Sequence, residues 1–221
     1  MLTGVSAYAQ KWPAGSFTDI KGNKVTGFIR ENPPGKGPIK DEGFIEFRDN
    51  DKTNPYKLSA SDLQSFTIGK DSFVVAHAPH NTTWTKKELD FVKVALDEES
   101  QKLFVARVGG GGGSGKGISV DPALGAGLGS GGYGGMSGGL AINLGGGGGG
   151  GKVKTTWYYG ANTAEMEELT PLNFNDVMSD IMGDEPEVVE KIRLNQFNLV
   201  NIDKLIAYFR QVKASHKQEK G

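Results

Sequence analysis

Three sets of residues in the chain have types and spacings that could do chemistry. Gly110-x4-Gly115-Lys116 comes close to the glycine loop that cradles nucleotide phosphates, His77-Ala-Pro-His80 offers two imidazoles to a metal, and Asp49, Asp51 and Thr53 match the opening of a calcium loop. Each falls short of what its chemistry demands. A phosphate loop needs a buried strand before it, a helix after it whose free N–H groups receive the phosphate, and a final Ser or Thr for magnesium. "LFVARV" supplies the strand, but "GISVDPALGAGLG" carries Pro122 and too many glycines for a helix, and Gly117 replaces the hydroxyl residue. The histidine pair is interrupted by Pro79 and has no third ligand nearby in sequence. The calcium-like stretch has Asn54 and Ala60 where the glycine and the bidentate glutamate belong. Turn chemistry is the better account of both.

No Ser/His/Asp set, paired glycosidase carboxylates or nucleophile elbow can be picked out locally, so an enzyme is not the leading expectation. Asp41, Glu42, Asp62 and Asp71 fall in predicted turns, where solvation is their ordinary role. No cofactor and no metal are expected. The absence of cysteine removes disulfides, thiolate sites and thiol nucleophiles. A formal net charge of -1 with both signs interspersed gives no field to gather nucleic acid. At the N-terminus, Ala7-Tyr8-Ala9 before Gln10 matches the end of a secretory signal peptide, which makes residues 1–9 a signal-peptide remnant and Gln10 the first mature residue.

The elements that would position any site fall into two groups. Residues 10–108 read as a β-rich body of six to eight short strands at regular spacing, with a hairpin at Lys21-Gly22-Asn23-Lys24 and a polar tip from Asp97 to Gln101. Residues 152–160 resume as one more strand that closes this body. Residues 171–214 then carry helical stripes: Leu172, Val177, Met178, Ile181 and Met182 in one, and Ile202, Leu205, Ile206, Phe209 and Val212 in another. Between them, Asp184 is the expected cap of a helix with Glu185 and Pro186 in its first turn, and Asn201 is the expected cap of the last helix. Residues 215–221 read as a polar tail. The fold class is therefore α+β, with an antiparallel β-barrel or sandwich-like body and a short C-terminal helical segment.

Most of the 34 glycines lie in residues 109–151. This long Gly-rich loop, bracketed by two strands, reads as the enlarged connection of a β-hairpin. Extending a four-residue turn to about 43 residues costs only about 2 kcal/mol in closure entropy, and free ends would span roughly 35 Å. The tract is expected to be disordered or self-associating. No charge occurs from Pro122 to Gly151, and Gly125/Gly129, Gly131/Gly135 and Gly135/Gly139 have the spacing of close helix contacts in membranes. The glycine content itself argues against a membrane helix. Tyr133, Met136 and Leu140 in the tract, with Trp84 and Trp157 outside it, are the candidate interaction residues, although each tryptophan, Trp12 included, more often packs than binds.

The segments "GSFTDIKGNKVTGFI", "GFIEFR", "YKLSASDLQSFTIG", "DFVKVALDEESQKLFV", "WYYGANTAEMEEL", "DEPEVVEKI" and "NIDKLIAYFRQ" together resemble a family of exported proteins of unknown function common in Bacteroidetes. The resemblance covers most of the chain outside the glycine tract, which stands where that family has a shorter connection. It implies a β-rich body with a helical tail, located in the periplasm or at the outer membrane or cell surface, and it supplies no catalytic or binding residue. The expected function is a non-enzymatic envelope protein acting as an interaction or structural module, with an envelope protein or another copy of itself as partner. The alternatives are a membrane-contacting accessory protein that uses the tract, and a hydrolase or nucleotide-binding enzyme that uses Lys116.

Overall fold

The computed structural model describes residues 12–77, 79, 87–98, 101–108 and 154–219. Eight strands come before the glycine tract: β1 (Ala14–Asp19), β2 (Lys24–Arg30), β3 (Phe44–Arg48), β4 (Tyr56–Ser59), β5 (Leu63–Ile68), β6 (Asp71–His77), β7 (Leu89–Asp97) and β8 (Lys102–Val108). After it come β9 (Lys154–Gly160), β10 (Glu167–Glu168) and the helices α1 (Phe174–Ile181), α2 (Pro186–Arg193) and α3 (Ile202–Glu219). All ten strands belong to one antiparallel sheet in the order β10-β9-β8-β7-β6-β5-β1-β2-β3-β4.

That order forces the sheet to coil. β4 is an edge strand, separated from β5 by β1, β2 and β3, yet only a 3-10 turn over Ala60–Asp62 joins the two in sequence. In a flat sheet they would stand about 19 Å apart at four strand spacings. The chain from Ser59 to Leu63 reaches about 14 Å at most, so the first half must curl back toward β5. Hydrogen bonds from Ala60 N to Gly43 O (2.8 Å), Gly43 N to Leu89 O (2.7 Å) and Glu88 N to Asp41 O (2.6 Å) tie the approach to β3 onto the start of β7. Gly43 is needed there: a Cβ would come within 2.2 Å of the Asp90 carboxylate.

The coil does not close, which corrects the expectation of a barrel. β4 pairs only with β3 among the described residues, and a 3-10 turn lies between it and β5. β7 to β10 continue outward as an open arm. The inside of the coil is filled by Phe17, Ile29, Ile45, Phe47, Leu63 and Phe66, with Phe17 edge-on to Phe47 at 4.8 Å and Phe66 stacked on Phe73 at 4.6 Å.

The open arm is buried on both faces. Along β8, Leu103 faces the helices and Phe104 the opposite side; along β9, Trp157 and Tyr158 divide in the same way. The helices supply the larger cover. Phe174, Met178 and Ile181 of α1, Val188 and Ile192 of α2, and the full α3 stripe of Ile202, Leu205, Ile206, Phe209 and Val212 are buried against the β7–β9 face.

Four local expectations change. Leu172 is 96% exposed, because Asn173 Oδ1 accepts from Thr170 N at 2.7 Å and this turn delays the helix start to Phe174, which takes the core position. The cap of α2 is Glu185, with Pro186 in its first turn, and no side chain caps the helix there. The tail is helical as far as Glu219, so residues 215–219 continue α3 rather than trailing from it. Asn201 is not seen to cap α3: it ends the preceding 3-10 turn, whose cap is Asn198, and its Oδ1 accepts from Asn198 N at 2.7 Å while Asn198 Oδ1 accepts from Val200 N at 2.9 Å.

Candidate functional site

The strands flanking the glycine tract are hydrogen-bonded neighbours. β8 and β9 pair without a slip from Lys102↔Gly160 to Val108↔Lys154, so residues 109–153 leave and re-enter the sheet at directly opposed positions. The hairpin reading of the connection therefore holds at its base. Gly110, Gly115, Lys116, Tyr133, Met136 and Leu140 lie outside the described residues, as do Trp84 and His80. β8 is a hairpin strand whose next described element is its own antiparallel partner.

Trp157 is no surface residue. Side-chain alternation turns it toward the helices, where it is 9% exposed among Leu103, Leu169 and the α1–α3 stripes. Trp12 lies on the outer face of β2 and β3, with the Arg30 and Arg48 guanidinium groups 4.5 and 4.8 Å from its ring centre. Arg30 also pairs with Glu46 at 3.1 Å and Arg48 with Asp51 at 2.7 Å. This arrangement fastens the start of the described chain to the sheet.

The turn carboxylates are engaged in holding turns. Glu42 Oε2 accepts from Ser61 N and Oγ at 3.0 and 2.7 Å, Asp62 Oδ2 accepts from Ser59 N at 2.8 Å, and Asp71 pairs with Lys93 at 2.7 Å. Asp41 adopts a left-handed conformation, φ 60°, in the loop before β3. In the calcium-like stretch, Asp51 is taken by Arg48, and Asn50 accepts from Lys52 N and the Thr53 hydroxyl. His77 ends β6, exposed. Among the described residues no group of His, Asp or Glu side chains is placed to hold a metal ion, and no helix is long and apolar enough to cross a membrane.

One concave site was missed by sequence reasoning. A cleft of about 630 Å³ runs between α3, the end of β7 and the β5–β6 turn. Val94, Leu96 and Phe209 line it together with Arg210, Lys213 and Lys217 of α3 and Lys70 from the turn. Three contacts tie the helix across it. Arg210 donates to Ala95 O at 2.6 Å, Lys213 pairs with Glu98, and His216 Nδ1 lies 2.6 Å from Glu185 Oε2. Hydrogen bonding to Glu98 raises the Lys213 ammonium above its ordinary value, with Asp184 and Glu185 adding to the field and desolvation opposing it. Glu185 is only 5% exposed. It stands at the head of α2, but its carboxylate is directed to α3.

The signal for this cleft was present in sequence as the spacing of Arg210, Lys213 and Lys217, opposite the apolar stripe of the same helix. The other wall, Lys70 and the end of β7, is remote in sequence, and only the fold brings it there. Comparison with known proteins places no neighbour beside this arrangement: no family model, no curated protein and no solved structure matches the chain.

Proposed function

We propose that the protein is an exported, envelope-associated interaction module without catalytic activity, in which the coiled sheet is a rigid base and residues 109–151 form the contacting element. The observation that carries this reading is the intact β8–β9 ladder beneath the tract. Both strands are packed on both faces, so their pairing draws on the core and needs nothing from the inserted residues. A long insertion on a rigid hairpin costs little stability, and binding residues concentrate on such loops. The family resemblance and the Ala7-Tyr8-Ala9 pattern support export to the periplasm or cell surface.

The test replaces residues 109–151 with a four-residue turn. The shortened chain should keep its spectrum and unfold at an equal or higher temperature, since about 2 kcal/mol of closure entropy is removed. In sedimentation velocity the full chain should self-associate, or co-sediment with isolated envelope, and the shortened chain should do neither. Loss of folding on shortening would make the tract part of the core. Flotation with liposomes that depends on the tract would favour the membrane-contacting alternative. Mass spectrometry of the chain recovered from its native cells should find a mature N-terminus at Gln10, and a cytoplasmic chain retaining Met1 would refute export.

A further inference from the structure

We propose that the uncharged stretch 122–144 of the glycine-rich tract docks on its own chain, at the end of the helical layer where Leu172, Leu194 and Val200 stand exposed. The role proposed above gives the tract an outside partner. This seat lies within one chain and stands even if envelope binding and self-association both fail.

The helices bring the three side chains to one end. Gln101 Nε2 donates to Asp180 at 2.9 Å and Lys213 pairs with Glu98, so α1 and α3 finish beside the turn from β7 to β8. Asn175 Nδ2 donates to Asn195 Oδ1 at 2.8 Å, which sets the start of α1 against the end of α2. Leu172 just before α1, Leu194 just after α2 and Val200 just before α3 therefore share the opposite end. They are 96%, 62% and 61% exposed, and among the described residues after β9 no other large apolar side chain is exposed. Phe197 and Leu199, half-buried against the core, join Leu194 and Val200 to it. Exposed apolar residues gathered in this way mark a contact surface.

The tract is rooted at the same end. β8 runs away from the β7–β8 turn to Val108, which pairs with Lys154. The chain after β10 runs back along β9 toward Lys154, with Leu169 N donating to Trp157 O at 2.9 Å, and reaches Leu172 three residues later. The surfaces also match in charge. Residues 169–175 and 194–202 carry no charged side chain although 23% of the chain is charged, and none occurs from Pro122 to Gly151. Leu124, Leu128, Tyr133, Met136 and Leu140 supply the apolar cover that exposed leucines favour. Residues 109–121 reach about 40 Å when extended, ample to bring that stretch to the seat. A segment rooted at both ends meets it at an effective concentration on the order of millimolar, which favours its own chain over a second copy in dilute solution.

The chain has no cysteine, so Met136→Cys gives one attachment point for a nitroxide in the middle of the stretch. In the full ¹⁵N-labelled chain, the amides of Leu172, Leu194 and Val200 should lose their signals to paramagnetic broadening, while those of Ala95 and Glu98 at the far end keep theirs. The same label in the Leu172→Ser/Leu194→Ser/Val200→Ser variant, folded by circular dichroism, should leave the amides at the three positions largely unbroadened. A mixture of unlabelled ¹⁵N chain with nitroxide-labelled chain lacking ¹⁵N should show no broadening. Broadening in that mixture would move the seat to a second copy and overturn docking within the chain. Equal broadening in the triple-serine variant would reduce the effect to tethering alone, and an unbroadened parent would remove the seat altogether. Failure of the tract to bind envelope or to self-associate bears only on the function proposed above and changes none of these readouts.

Discussion

Asp19 shows how much of a hairpin can rest on one carboxylate. Its Oδ1 accepts from Lys21 N and Asn23 N, both at 2.8 Å, and its Oδ2 accepts from Asn23 Nδ2 at 2.9 Å, while Gly22 supplies the left-handed residue of the turn at φ 86°. The Asn23 side-chain bond, followed by the backbone N–H bonds, holds its pKa below the ordinary 3.8. A depressed carboxylate value means that the folded state prefers the ionised form. Its stabilisation is complete above pH 3.8 and is lost as pH falls through the lowered folded value. The melting-temperature gap between the parent and Asp19→Asn should therefore be constant at neutral pH and shrink as the pH falls below 3.8 through the lowered folded value. A gap independent of pH would show that the charge contributes nothing. Glu185 presents the opposite environment, a buried carboxylate whose partner His216 lies on another helix. Glu185→Ala should cost about 1–3 kcal/mol in denaturant unfolding and loosen the end of α3, seen as faster amide exchange beyond Val212. An unchanged midpoint would assign the pair to the surface.

Elements begin and end where side-chain chemistry halts or allows them, and periodicity alone misjudges this by a residue or two. The stripe from Leu172 to Met182 has helical spacing, yet the Thr170–Asn173 turn sets the start of α1 at Phe174 and leaves Leu172 in solvent. Leu172→Ser should leave stability within about 0.5 kcal/mol. Phe174→Ala, two residues later and 2% exposed, should cost about 3–5 kcal/mol. Equal effects at the two positions would mean that the helix starts earlier. The α3 stripe was legible throughout, since all five of its apolar residues are buried. The role of its polar side was not, because Arg210 and Lys213 act on Ala95 and Glu98 more than a hundred positions away.

For the whole molecule, the helices are the second layer of the sheet. The β7–β9 face that they cover includes Leu103, Val105, Trp157 and Tyr159, and uncovering it would expose an apolar surface of the kind that drives association. A chain ended before Ile202 should therefore be recovered as oligomer or aggregate, with strong binding of a hydrophobic dye. A monomeric, cooperatively unfolding product would show that the sheet is stable without α3.

The strands up to β9, the three helices, the break between β-rich and helical regions, and the hairpin setting of the glycine tract were legible in the sequence, because each depends on periodicity, turn residues and composition within a short window, whereas the two-residue strand β10 is too short to leave such a pattern. The open coil in place of a barrel, the meeting of Glu185 with His216 and the cleft beside α3 were decided only by tertiary structure. Each is settled by which residues far apart along the chain come to share a face. A three-residue turn between strands four places apart in the sheet bends the whole molecule, and no local pattern of side chains records that constraint.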